Sequence, residues 1–174
     1  EFALDEMRAQ HRHHRKAAGN IGFGLDDLVA VANEPDAVTV LVQLDSLVNK
    51  SLVVVEKNGE RYRLLETIRE YAQERLRAAG EAAAVRERHF GWYLRLAERL
   101  EPSLLGGAQQ KPALDLLEAD HDNLRTALAW SLETPGQGDL ALRMCGTLYR
   151  FWSRRGHWHE GYEWCMKALA LARR

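Results

Sequence analysis

The chain has 174 residues, 46% hydrophobic and 28% charged, enough to bury a core in one domain or two small ones. Its formal net charge of -1 gives no global pull toward nucleic acid or anionic lipid. No apolar run reaches the about 20 residues of a transmembrane helix, and no signal-peptide core is visible, so no membrane partner is expected.

The two cysteines, Cys145 and Cys165, lack metal or framework spacing and point to free thiols in a reducing cytoplasm. The chain opens without Met at Glu1-Phe2 and runs into a helical pattern at Arg174, so we expect it to be part of something longer.

Residues 1–20 read as an N-terminal helical arm. Phe2, Leu4 and Met7 make a thin apolar edge before the polar run from Gln10 to Lys16, and Gly19-Asn20 is a stop signal. His11, His13 and His14 suggest a metal site, but no thiolate or carboxylate accompanies them, and a solvated basic helix is the simpler reading.

Residues 21–80 read as a winged helix. A first helix over residues 25–33 carries Leu25, Leu28, Val29 and Ala32 and stops at Glu34-Pro35. Asp36 caps a second helix to about Asn49, with Val40, Leu41, Leu44, Leu47 and Val48 as its apolar stripe. Leu52 to Val55 is an apolar strand, and Asn58-Gly59 supplies a type I′ turn. A second strand runs from Glu60 to Leu64 with Tyr62 and Leu64 on one face. A helix follows, striped by Ile68, Tyr71, Ala72, Arg75 and Leu76.

The charge pattern argues against direct DNA binding by this segment. The solvent face of the second helix offers Asp36, Thr39, Gln43, Asp45, Ser46 and Asn49, with no arginine to reach a base edge. From Asp36 to Leu76 the bases Lys50, Lys57, Arg61, Arg63, Arg69 and Arg75 are outnumbered by acids, which leaves phosphate contact weak.

Residues 81–174 read as helical throughout. One helix over residues 81–100 carries Val85, His89, Trp92, Tyr93, Leu96 and Leu100, and Glu101-Pro102 ends it. A long helix over residues 112–132 follows, with Leu114, Leu117, His121, Leu124, Leu128 and Leu132 on one stripe. His89 and His121 are expected as satisfied core or interface histidines. Asp120, Asp122 and Asn123 beside His121 suggest a metal cluster, but neighbours in sequence point around a helix, and a polar turn-facing patch is the preferred reading.

Residues 142–174 fit a helix-turn-helix repeat of tetratricopeptide type turning at Gly156. Cys145, Leu148, Tyr149 and Trp152 take the packing positions of its first helix, and the small Gly161, Cys165 and Ala168 those of its second. The repeat is locally basic, with Arg143, Arg150, Arg154, Arg155, Lys167, Arg173 and Arg174 against Glu160 and Glu163, and aromatics interleave. Arg150, Arg154, Arg155 and Trp158 are the interaction candidates, for a protein or acidic peptide partner, another domain or nucleic acid. The simpler reading makes the aromatics repeat core and the arginines a solvated face.

The chain contains no GxSxG elbow, HExxH, CxxC or Gly-rich phosphate loop, so no enzyme, catalytic residue, metal or cofactor is assigned. The run LVNKSLVVVEKNGERYRLLETIREYAQERL, then LEADHDNLRTALAW and ALRMCGTLYRFWSRRGHWHEGYEW, resembles the region after the NB-ARC-type ATPase core of bacterial STAND regulators. Many of those are LuxR-type or SARP-type transcriptional regulators. The resemblance implies a mainly α fold with a small β-hairpin, a winged helix followed by TPR-like antiparallel helical repeats. It also implies an ATPase domain and further repeats as partners, with Arg61, Arg63, Leu65 and Arg69 as the wing residues facing that core. Where many relatives carry a Met-His-Asp-like triplet, this chain has Leu64, Leu65 and Glu66, and Leu65 has no hydrogen bond to offer a nucleotide. The alternative function is a winged-helix nucleic-acid-binding transcription factor with a helical dimerisation region. In either case the apolar wing or the N-terminal arm is expected to support a concentration-dependent homodimer.

Overall fold

The computed structural model describes residues 22–32, 36–56 and 61–172. The N-terminal arm with His11, His13 and His14, the Asn58-Gly59 turn, the Glu34-Pro35 stop and Arg173-Arg174 lie outside the described residues. The fold is mainly α with one small antiparallel sheet. Backbone packing divides it into two units, Glu1–Ala82 and Ala83–Arg174. No helix among the described residues is long and apolar enough to cross a membrane.

In the first unit the order is β1 (Gly22–Phe23), α1 (Leu25–Ala32), α2 (Ala37–Asn49), β2 (Val53–Val55), β3 (Tyr62–Leu64) and α3 (Glu66–Ala78). Helix, helix, hairpin, helix is the expected winged-helix order. The sheet order is β1-β3-β2, with Val53 opposite Leu64 and Val55 opposite Tyr62. The strand β1 is an addition to the expected hairpin. It pairs Gly22 with Arg63 and Phe23 with Tyr62, and the Phe23 and Tyr62 rings stack 6.0 Å apart. Two residues carry no periodicity, so a strand this short leaves no pattern in the sequence.

Local hydrogen bonds explain where the helices begin. The Gly24 amide donates to Asp27 Oδ2 at 2.8 Å, the reaching-back half of a capping box, which is why the buried residue of α1 is an acid. Asp36 accepts from the amides of Val38 at 3.0 Å and Thr39 at 3.2 Å, and from the Thr39 hydroxyl at 2.8 Å. The Thr39 hydroxyl and then the Val38 amide hold its carboxyl below the usual range. At the far end of α2 the chain turns through Ser51 at φ 57, and the Leu52 amide donates to the Leu47 carbonyl at 3.0 Å. This is a Schellman-like close with serine where glycine is usual.

The expected apolar stripe of α2 is only half buried. Val40 and Leu44 are buried with Val53, whereas Leu41 and Leu47 are exposed, together with Val38 and Val42. On α3, Tyr71 is exposed rather than part of a packed stripe. A small sheet covers only a narrow strip of a helix, and the remaining apolar positions stay in solvent.

The second unit holds α4 (Ala82–Leu100), a 3-10 turn (Glu101–Leu105), α5 (Gln110–Ala119), α6 (His121–Glu133), α7 (Gly138–Arg155) and α8 (Trp158–Ala172). Its core runs through Phe90, Tyr93, Leu117, Leu128, Met144 and Phe151. The expected single helix over residues 112–132 is in fact two, broken at Asp120. Asp120 is buried between the two helices, at the end of α5 and the N-cap position of α6, and its carboxylate accepts from the Asn123 side-chain amide Nδ2 at 3.2 Å rather than from a backbone amide. Aspartate favours such helix boundaries over helix interiors.

The antiparallel pair α7 and α8 turns at Gly156, whose φ of 80 is left-handed, and the His157 amide donates to the Trp152 carbonyl at 2.9 Å. Gly161 is required by contact. A Cβ there would lie 2.6 Å from the Trp152 ring. Cys145, Leu148, Trp152, Gly161 and Ala168 are buried at the α7–α8 seam as the repeat pattern expects. Tyr149 is the exception, 58% exposed.

Candidate functional site

The polar centre of the second unit forms where four helix ends meet. The break at Asp120 puts Asp115 and Glu118 at the end of α5 and His121, Asp122 and Arg125 in the first turns of α6. The left-handed turn at Gly156 brings Arg155 and His157 to the same place, and α8 begins there with Glu160.

Arg125 organises one half of this network. Its Nε donates to Glu160 Oε1 at 2.7 Å and its Nη2 to Glu160 Oε2 at 2.6 Å, while Nη1 donates to Asp122 Oδ1 at 2.7 Å. The Trp164 indole donates to Glu160 Oε1 at 3.2 Å. The Glu160 hydrogen bonds raise the Arg125 pKa above its already high ordinary value, so the guanidinium stays charged. Burial works to raise the Glu160 pKa, but the Arg125 hydrogen bonds and the nearby His121 imidazole outweigh it and hold the carboxyl far below its usual range.

The other half joins α5 to the α7–α8 turn. His157 Nε2 lies 3.2 Å from Glu118 Oε1 and 3.3 Å from Oε2. Arg155 pairs with Asp115, and its Nε stands 3.9 Å from Glu118 Oε2. Lys111 takes the other Asp115 oxygen at 2.7 Å. These bonds, Lys111 first and Arg155 second, lower the Asp115 pKa.

His121 sits between the halves. Its side chain is 8% exposed, and Phe151 packs edge-on against the ring at 5.1 Å between centroids. The His157 ring lies 4.3 Å away. His121 Nε2 is 3.2 Å from Glu160 Oε1, an ion-pair contact that lacks hydrogen-bond alignment. The contact is therefore Coulombic rather than a directed bond. His121 is thus a buried core histidine, as expected, held by an ion pair rather than a directed hydrogen bond. Asp122 pairs with Arg125 and Asp120 with Asn123, so these acids belong to helix-end networks. The ligand atoms that come together on His121 are those of Glu118 and His157, all three within 4.8 Å of one another. Glu118 at the end of α5 and His121 at the start of α6 meet across the Asp120 break, and His157 joins them from the α7–α8 turn, so only the fold brings the three together.

The surface candidates divide. Arg150 and Arg154 are exposed and lie four residues apart on one face of α7. Trp158 is 58% exposed and continues along α8 into exposed Tyr162 and Met166 at helical spacing. Arg155 is not an exposed contact, because Asp115 and Glu118 engage it. The basic excess of this repeat is partly answered from earlier helices, since Arg143 also pairs with Glu98 of α4. The aromatics split as well, with Phe151 and Trp152 in the core and Tyr149 and Trp158 outside.

In the first unit, Arg61 Nη2 donates to the Gly22 carbonyl at 2.8 Å and ties β1 to the wing. Arg63 is half-buried in β3, and Arg69 pairs with Glu66 on α3. Leu65 is 40% exposed at the start of α3. The described α2 carries no Lys or Arg.

Burial, and secondarily the adjacent Cys165, pushes the Cys145 thiol up to about 12. Both cysteines are free.

No family model matches the chain, and no solved structure matches it. It is 42% identical over 147 residues to a Mycobacterium bovis protein named "Putative HTH-type transcriptional regulator", and two Mycobacterium tuberculosis proteins of the same description match equally. A shorter match, 46% identical over 81 residues, covers 44% of this chain and 21% of an uncharacterized M. tuberculosis protein. The longer match covers 82% of this chain and only 16% of each regulator, so the chain is similar, over most of its length, to one stretch of mycobacterial proteins named as transcriptional regulators.

Proposed function

We propose that the chain is a non-catalytic regulatory and interaction region of a multidomain transcriptional regulator of the STAND type, working in the cytoplasm. In this reading the winged helix rests on an ATPase core of the same protein. Its helical unit holds a protein or peptide partner and leads into further repeats, and a second copy of the chain is a further partner at the winged unit. The reading draws on the similarity to the mycobacterial regulators, which runs over 82% of the chain. The observation that carries the interaction role is the exposed line Trp158, Tyr162 and Met166 on α8, since rigid aromatics give large contact area for little entropy cost. An α2 face of Val38, Leu41, Val42 and Gln43 supports protein contact over phosphate contact.

The test is Trp158→Ala with Tyr162→Ala, introduced together at the chromosomal gene. Transcript profiles are expected to change as strongly as on deletion of the gene, with the protein level unaltered. Unchanged transcripts would contradict the reading. Nanomolar, sequence-selective duplex binding by the chain would also contradict it, and would favour a winged-helix nucleic-acid binder.

A further inference from the structure

We propose that Glu118, His121 and His157 form a binding site for a divalent transition-metal ion of the zinc class, clamping the α5–α6 break to the α7–α8 turn. The inference does not depend on the regulatory reading. It begins with the donor set, two imidazoles and a carboxylate, which suits zinc and its borderline neighbours. The three ligand atoms lie within 4.8 Å of one another. His157 Nε2 and Glu118 Oε1 are 3.2 Å apart, close to the about 3.3 Å edge of a tetrahedron with metal–ligand bonds of about 2.0–2.1 Å.

His121 supplies the independent observation. It is 94% buried by residue area, being 6% exposed, and its Nε2 has no hydrogen-bond partner. That nitrogen stands 3.2 Å from Glu160 Oε1 without hydrogen-bond alignment, and the His157 ring lies 4.3 Å from the His121 ring between centres. A divalent ion held between the two imidazoles and Glu118 would give the buried ring a directed partner.

Charge points the same way. Around the imidazoles Glu118, Glu160, Asp115 and Asp122 face Arg125 and Arg155, leaving two negative charges in excess before the solvated Lys111 is considered. Arg125 is engaged by Glu160 and Asp122, while Arg155 pairs with Asp115 and also faces Glu118, its Nε 3.9 Å from Oε2, so an ion would share that carboxylate with the guanidinium. Phe151 packs against both rings and the Gly156 turn sets His157 beside His121, so the three ligand atoms, within 4.8 Å of one another, need only draw in to the about 3.3 Å spacing of a tetrahedral ion. Three protein ligands leave a fourth position for water or for a carboxylate offered by a partner.

The test uses the chain with His11, His13 and His14 changed to Ala, which removes the other histidine-rich segment as a competing binder. After chelation and desalting it is titrated calorimetrically with zinc, and separately with cobalt to read coordination number from the visible absorption. One zinc per chain at micromolar affinity or tighter, with the intense absorption of four-coordinate cobalt, is expected. His157→Ala and Glu118→Gln, both at partly exposed positions, should each weaken zinc at least tenfold, with far-ultraviolet circular dichroism unchanged. His159→Ala, at a solvent-facing histidine outside the cluster, should leave the affinity unaltered. Binding no tighter than millimolar, or the same affinity in His157→Ala and Glu118→Gln, would overturn the proposal.

Discussion

The two units are built on different amounts of buried apolar surface. Among the described residues, the winged unit buries Val40, Leu44 and Val53 as its apolar core, while the helical unit buries a connected cluster from Phe90 to Ala168. The winged unit meanwhile exposes Val38 at 64%, Val42 at 65% and Tyr71 at 61%. Strands of two or three residues cannot cover the 13-residue helices α2 and α3, so local capping does more of the work there. Paired helices bury continuous faces, and the helical unit therefore has the margin to hold charged groups and a buried imidazole at its polar centre.

This contrast is open to direct mutation. Phe151→Ala removes a fully buried ring that also supports His121 and His157, and should cost the helical unit about 3–5 kcal/mol in urea unfolding. Leu44→Ala, in the thin core, should cost the winged unit about 2 kcal/mol, near the low end for a buried leucine, because few neighbours surround the cavity. Equal losses would remove the distinction between the units.

Raising the pH probes the α7–α8 seam more gently. The Cys145 thiol titrates at about 12 in the folded chain against an ordinary 9.0, so folding favours its neutral form. That stabilisation is complete below 9.0 and is lost as pH rises from 9.0 toward 12. The urea midpoint of the helical unit should fall across that window, and Cys145→Ala should flatten the fall. Alkylation should also be slower at Cys145 than at the half-buried Cys165.

The smallest expected effect lies in the winged unit. Ser51 holds a left-handed backbone at φ 57 with a side chain that disfavours it, so Ser51→Gly should stabilise by about 0.5–1 kcal/mol, read from thermal unfolding. A loss of stability would mean that the serine side chain supports the turn.

These elements also show what the sequence makes legible. The wing strands, the Asp36 cap and the Gly156 turn each follow from residues adjacent in the chain, and each stands where local chemistry expects it. The Asp120 break was hidden because an unbroken apolar stripe, Leu117 to Leu128, runs straight across it. Half of the α2 stripe stays exposed, because periodicity reports which face is apolar and not how much partner surface exists to cover it. The polar centre was half legible. His121 stands on the apolar stripe the sequence shows, but Glu118 meets it across the Asp120 break, and His157 and Glu160 arrive from another helix pair, a meeting no local spacing encodes.

Native-state hydrogen exchange tests the difference between the units most directly, because it reports opening free energies amide by amide. The amides of Leu128 and Leu148 should exchange only through global opening of the helical unit, and those of Leu44 and Val48 at least tenfold more readily, about 1.4 kcal/mol less protected. Equal protection in α2 and α7 would contradict the account.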